Sequence, residues 1–325
     1  MTPPISEGTA TPEVTTSPET TAPVVEASQA PPTPVLAPRL TTAEASALAK
    51  ESGLKPIGLR PAIPLYLKMI WERRYFVIEL SRAREQSNNA ESRLGQLWQV
   101  LNPLLNIAVY FLIFGIIFAA KRQVDDYISF LVIGVFIFTY TQATVLGGAR
   151  SIANNLGIVR ALHFPRALLP LSVVIEEFFA LGTALVICFI IVLLNGEGVS
   201  FAWLLLIPAL MLQTMFNFGL AMILARMTER VRDVTQLLPF LLRTWLYLSG
   251  VVFSLATFTA NKPEWISFVL SFNPAAVYIE LVRDSLLTSY SVAPITWAYA
   301  VFWAFVTLIG GFVYFWKAEE RYGRG

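Results

Sequence analysis

The sequence predicts an all-α integral membrane protein. Six transmembrane helices leave both termini cytoplasmic, an amphipathic interfacial helix precedes the first span, and an outer re-entrant helical pair precedes the last. Three observations predict this. Of 325 residues, 55% are hydrophobic and only 14% charged, with a mean hydropathy of +0.60, where soluble domains carry about a quarter of their residues as charges. Six apolar stretches reach the ~20 residues that a helix needs to cross about 30 Å of hydrocarbon. Lys and Arg are also distributed unevenly among the short loops, which sets the orientation.

Residues 1–55 come first, a Pro/Thr/Ala-rich stretch with three basic and six acidic residues. Such a segment cannot bury enough apolar surface to offset its ordering entropy, so it reads as a disordered cytoplasmic tail. It has neither the basic start nor the apolar core of a signal peptide.

From Pro64 a helical period begins, and residues 64–92 read as one amphipathic helix. Lys68, Glu72, Tyr75, Glu79, Arg82 and Gln86 make a polar stripe, with Leu67, Ile70, Trp71, Val77 and Ile78 on other faces. Its charges bar it from spanning a bilayer. It suits either the membrane interface, with Trp71 and Tyr75 at headgroup level, or the surface of a cytoplasmic domain.

The lead-in "SRLGQLWQVLNPLL", Ser92 to Leu105, is polar, aromatic and punctuated by Gly95 and Pro103 before the chain turns apolar. The six spans are expected at about 100–120, 127–149, 168–194, 201–225, 235–258 and 296–316. With a cytoplasmic amino terminus, fifteen Lys and Arg fall inside, from Lys68 to Arg324, against Lys121, Arg122, Lys262 and Arg283 outside. "WISFVLSFNPAAVYIELV", Trp265 to Val282, tempts a seventh span. That crossing would put Lys317, Arg321 and Arg324 outside, and Asn273-Pro274 divides the stretch into two pieces too short to cross. A re-entrant pair over 262–290 fits better.

Catalytic signatures are scarce. Gly is nowhere followed directly by Lys, so the chain has no nucleotide-cradling GxxxxGK[ST] loop. His163 is the single histidine, which excludes an HExxH site. Cys188 is the single cysteine and lies in an apolar run, so no disulfide framework exists. Asp125 and Asp126, between the first two spans, could bind a divalent cation or act as a base, as in a membrane glycosyltransferase. The loop is short, and a solvated turn neutralised by Lys121 and Arg122 is the better reading. Arg243 in the fifth span and Glu176 and Glu177 in the third are costly in hydrocarbon. Either they pair between helices, or Arg243 faces a polar path and meets an anionic substrate. Tyr110, Phe114, Trp245 and Tyr247 are aromatic candidates for stacking on sugar rings if their helices line such a path.

Four segments together carry a family resemblance: "SRLGQLWQVLNPLLNIAVYFLIFGIIF", "NNLGIVRALHFPRALLPLS" (Asn154 to Ser172), "TERVRDVTQLLPFLL" (Thr228 to Leu242) and "FNPAAVYIELVRDSLL" (Phe272 to Leu287). In this order, over about residues 65–320, the chain resembles ABC exporter permeases of the O-antigen and teichoic-acid type, which move lipid-linked polysaccharide. The resemblance does not extend to residues 1–55.

The resemblance implies a transport subunit without catalytic residues of its own, in the bacterial plasma membrane. ATP and Mg2+ would act on a separate ATPase. Two permeases would assemble with two ATPases, with the channel on the two-fold axis and no nucleic-acid partner. The interfacial helix becomes a gate, with Trp71, Arg73, Arg74, Arg93, Gln96, Trp98 and Asn102 at the substrate entrance. Residues 154–166 become a coupling helix, with Asn155, Arg160, His163, Phe164 and Arg166 facing the ATPase and Phe164 anchored in an apolar pocket of it. Tyr110, Phe114, Arg243, Trp245 and Tyr247 would contact the polysaccharide, and Asn273, Pro274 and Arg283 would form the outer gate. The tail and the high arginine share suit an actinobacterial homologue, where the family exports a decaprenyl-type lipid-linked galactan for the cell wall. Drug or lipid exporters of the ABC class and an integral-membrane glycosyltransferase are the alternatives.

Overall fold

A computed structural model describes residues 61–90, 97–117, 126–320 and Tyr322, together with a few positions between 41 and 52. The chain divides into two units, 1–56 and 57–325, and all the helices named below belong to the second. The tail expected to be disordered lies almost wholly outside the described residues, as do Arg93, Gly95, Gln96, Lys121, Arg122 and Asp125.

The described residues of this unit hold helices and no strand. The amphipathic segment forms two helices, α1 (Ile63–Glu72) and α2 (Arg74–Ala90), broken at Arg73. Pro64 sits in the first turn of α1, where its missing N–H has no partner to lose. Lys68, Glu72, Tyr75, Glu79 and Arg82 are exposed, while Tyr66, Val77 and Ser81 are buried.

Helix α3 (Leu97–Tyr110) runs on as a π-helix over Phe111–Ile117. Next come α4 (Tyr127–Arg150), a 3₁₀ turn at Ala153–Asn155 with the short α5 (Leu156–Ala161), and α6 (Leu168–Leu194). A 3₁₀ turn at Phe201–Leu205 leads into α7 (Leu206–Arg230), and α8 covers Val234–Leu248. The remainder is α9 (Leu255–Thr259), α10 (Glu264–Ser271), α11 (Pro274–Leu286) and α12 (Ile295–Trp316).

Four helical stretches among the described residues, 127–150, 168–194, 201–230 and 295–316, are long and apolar enough to cross a membrane. Helices α10 and α11 bend by 77° at Phe272-Asn273 and would count as a fifth only if taken as one broken span. The chain is a multi-pass membrane protein. The fifth predicted span, 235–258, departs from expectation. Helix α8 has 15 residues, about 22 Å of rise, and stops at Ser249-Gly250, where Gly250 takes a φ of +64° that favours glycine. Residues 249–254 are then irregular before α9.

Helix α4 is the axis of the core, buried along most of its length. It packs on α6, α7, α8 and α11. The most extensive pairing joins α7 and α12. A Cβ at Gly219 would collide with the Thr307 carbonyl, and one at Gly311 with the Gly219 carbonyl. The two backbones therefore touch directly, as small residues permit in membrane helices.

Candidate functional site

At one end of the bundle, helices α1 and α2, the 153–166 loop and the turn after α12 are fastened together. Tyr66 O–H donates to Glu319 Oε2 at 2.8 Å, and Arg166 N–H donates to Glu319 Oε1 at 2.9 Å. Ala167 N–H donates to Tyr66 Oη at 3.1 Å, and the Arg166 guanidinium donates to the Glu319 carbonyl. Burial raises the Glu319 carboxyl above its ordinary 4.5, outweighing the hydrogen bonds from Arg166 N–H and Tyr66 that pull the other way. Burial, then the charge of Glu319, holds the Tyr66 phenol well above its ordinary 10.0. Trp316 Nε1–H donates to Pro61 O at 3.0 Å, and Ser81 Oγ–H lies 2.8 Å from both Val77 O and Ser172 O.

This joint corrects one expectation. Phe164 does not project toward a partner: it is 8% exposed and packs on Phe76 at 5.6 Å between ring centres. The phenylalanine of a Phe-Pro-Arg loop is needed to seal α2 against that loop. The exposed residues of the loop are Ala153, Asn154, Gly157, Arg160, Ala161, Leu162 and His163. Leu162 is the large apolar one, and sequence reasoning passed over it. Asn155 turns back, its Nδ2 donating to Ser151 O at 2.7 Å.

On α1 and α2 Trp71 and Tyr75 are exposed, 70% and 66%, and the Arg74 guanidinium lies over both rings at 5.4 Å and 4.5 Å. Arg73 caps α1 and is exposed. Trp98 and Asn102, one turn apart on α3, line a cavity of about 410 Å³ walled also by α4 and α6. Glu176 and Glu177 line the same cavity.

A second face joins α3 and α8. Phe114 lies 6.4 Å from Tyr247 between ring centres, and Tyr110 is within electrostatic reach of both Tyr247 and Arg243. Four of the five residues expected along a path thus share one region. Trp245 does not: it points into the packing, edge-on to Phe138 at 6.0 Å and Phe216 at 6.4 Å, and its Nε1–H donates to Asn273 Oδ1 at 2.7 Å. Leu238, Leu242 and Leu246 define the buried face of α8, and position 245 falls beside 238 and 242 on it, opposite 243 and 247. The Arg243–Glu177 pair is not formed. Among the described residues the ion pairs are Lys68–Glu72, Arg82–Glu79 and Arg283–Glu280, and Arg243 is exposed.

At the far end a clasp holds the irregular 249–254 segment. Arg283, counted from sequence among outer loop charges, lies inside α11 and is 0% exposed. Its Nε and Nη2 donate to Phe130 O at 3.3 Å and 3.0 Å, Nη2 to Val251 O at 3.0 Å, and Nη1 to Gly250 O at 2.9 Å. The guanidinium also lies 3.3 Å from the Phe130 ring centre. Tyr127 O–H donates to Val252 O at 2.8 Å. Asn273 Nδ2 donates to Leu248 O and Ser249 Oγ, each at 3.1 Å, while its Oδ1 caps α11 at Ala275 N–H, whose first residue is Pro274. Arg283 therefore supplies the N–H groups that the broken backbone lacks.

Asp126 acts as a cap: its Oδ1 accepts from Ser129 N–H at 3.3 Å at the start of α4. Among the described residues no group of three or more His, Cys, Asp and Glu side chains could hold a metal.

Residues 82–287 match the family described as ABC-2 type transporter. The chain is 25% identical over 224 residues to an O-antigen export system permease protein, RfbA, of Myxococcus xanthus, covering 69% of this chain and 82% of that protein. It is 27% identical over 194 residues to the RfbA of Klebsiella pneumoniae, covering 59% and 73%. To the polysialic acid transport protein KpsM of Escherichia coli it is 24% identical over 233 residues, covering 70% and 87%. The family match takes in α3 to α11, with the whole 153–166 loop and the Arg283 clasp, so the chain belongs to the ABC-2 type transporter family.

Proposed function

We propose that this chain is the transmembrane subunit of an ATP-driven exporter that moves lipid-linked polysaccharide across a bacterial plasma membrane. The observation that carries the reading is the cytoplasmic joint in a chain of this family. Tyr66, Arg166 and Glu319 tie the surface helices, where a lipid-borne substrate would arrive, to the loop that would meet the motor. The similarity to O-antigen and polysialic acid transport proteins supports the cargo class.

The remaining parts follow from that reading. Six crossings leave both termini cytoplasmic, with α3 and α8 as the shorter first and fifth, and α10–α11 dip in from the outer face. ATP and Mg2+ act on a separate ATPase, which seats on Leu162, Arg160 and His163. Two copies of each subunit assemble, and the face formed by Tyr110, Phe114, Arg243 and Tyr247 lines the path. Galactan on a decaprenyl diphosphate-type lipid is the narrower proposal for the cargo.

Mass spectrometry of the protein purified gently from its native membrane tests this. The expected result is two copies with two copies of a Walker-motif ATPase, and a lipid-linked glycan that accumulates in the cytoplasm on depletion. A protein that purifies alone in every mild detergent, with surface glycan unchanged on depletion, overturns it.

A further inference from the structure

The cavity between α3, α4 and α6 is lined largely by apolar side chains but carries a cluster of polar groups, Asn102, Thr139, Tyr140, Glu176 and Glu177. Glu176 and Glu177 sit about two turns into a 27-residue apolar helix, a placement that costs free energy unless something hydrates or pairs the carboxyls. Part of the compensation is local: Arg84 lies within electrostatic reach of Glu176 while its Nη1 donates to Ser172 Oγ at 2.7 Å. The rest of the wall is built for something larger than a counter-ion. Trp98 offers an indole face, Asn102 an amide, and Thr139 and Tyr140 hydroxyl groups. The Tyr140 O–H is already spent on Thr214 Oγ1 at 3.0 Å, which leaves its oxygen as an acceptor. At about 410 Å³ the space falls within the range of small-molecule sites.

This wall has a definite chemical bias. Among its polar groups acceptors outnumber donors, Trp98 adds an aromatic surface, and among the described residues no Lys, Arg or His lines the space. Carboxyl, amide and phenol oxygens accept from the hydroxyls of a sugar ring, and the indole covers its C–H face. A carboxylate- or phosphate-bearing ring would bring another anion beside Glu176 and Glu177, where the nearby Arg84 guanidinium already faces Glu176 and bonds Ser172, and burial penalises the uncompensated charge.

We propose that this cavity is a subsite for one uncharged, hydroxyl-rich sugar ring of the cargo, and that it selects against acidic sugars. The inference rests on the exporter reading above and narrows its substrate class. The subsite is separate from the Tyr110, Phe114, Arg243 and Tyr247 face.

The test uses the full-length protein in its own membrane during active export. The photoreactive residue p-benzoylphenylalanine replaces Ala180 or Ala143, on facing walls of the cavity, or Phe179, which is exposed on α6. After irradiation, peptide mass spectrometry reads the adducts. The Ala180 and Ala143 probes should carry neutral hexose, pentose or deoxyhexose units, and the Phe179 probe acyl lipid only. Adding Asn102→Ala, at an exposed position, or Glu177→Ala should lower the sugar adducts at least ~fivefold. Acidic or phosphorylated sugars at Ala180 and Ala143 overturn the selectivity. Lipid alone, or no adduct, in cells that still export overturns the subsite. Depletion of the protein with unchanged surface glycan would instead sink the exporter reading, so the two failures are told apart.

Discussion

The phenol of Tyr66 and the carboxyl of Glu319 meet at 2.8 Å across 253 residues of sequence, joining the first described helix of the membrane unit to the turn after its last. Tyr66→Phe removes both the donor to Glu319 and the acceptor for Ala167 N–H, leaving buried groups unmet at a cost of about 1–3 kcal/mol. A fall of a few degrees in Tm, measured by thermal unfolding in nanodiscs, is expected. An unchanged Tm would mean that the joint contributes nothing.

The same carboxyl predicts a pH dependence. Burial raises Glu319 in the folded protein above its ordinary 4.5, so the native state holds that proton more tightly than the unfolded chain does. Its contribution is therefore complete below about pH 4.5 and is lost as pH rises through the folded value. Glu319→Gln cannot ionise. Denaturation scans across pH should show a flatter profile for the variant, with the difference growing toward neutral pH; parallel profiles would refute the assignment.

The two loop residues Leu162 and Phe164 should separate cleanly. Phe164→Ala opens a cavity against Phe76 and should destabilise the protein by about 3–5 kcal/mol. Leu162→Asp, at 53% exposure, should leave Tm unchanged but release the ATPase during co-purification. Retention of the ATPase by Leu162→Asp would place the contact elsewhere.

Arg283→Met keeps the stem but strands the carbonyls of Phe130, Gly250 and Val251. Each unmet group costs about 1–3 kcal/mol, so residues 249–254 should loosen. With Cys188 buried, a cysteine introduced at Ser254, itself buried, reports on this by maleimide labelling. Labelling should be at least ~tenfold faster in Arg283→Met, with Arg283→Lys intermediate because an ammonium cannot span three carbonyls. Equal rates would mean that the clasp is dispensable.

The spans of α4, α6, α7 and α12 were legible because long apolar runs between basic loops admit few other structures. The bend at Asn273 was legible because proline stops a helix where asparagine can cap it. Phe164 misled because an aromatic residue in a loop looks the same whether it faces a partner or its own chain, and only Phe76 decides. Arg283 misled because charge counting assigns position by sequence neighbourhood. Nothing local announces that the carbonyls of a broken segment 32 and 33 residues upstream need a guanidinium. Glu319 carried no signal among its charged neighbours. Glu176 and Glu177 were marked as costly, but their companions Trp98 and Asn102 lie on another helix, and the cavity exists only once α3 and α6 converge.

The direct backbone contact of α7 and α12 at Gly219 and Gly311 has a mechanical corollary. With no side chains between them to repack, sliding or rolling of one helix on the other would drive backbone into backbone, so the pair is expected to keep its register. Helices α3 and α8 touch this block only sparsely, and each ends irregularly, one in a π-helix and the other at Gly250. Any rearrangement of the membrane unit is therefore expected to engage these two short helices before it disturbs the α7–α12 contact.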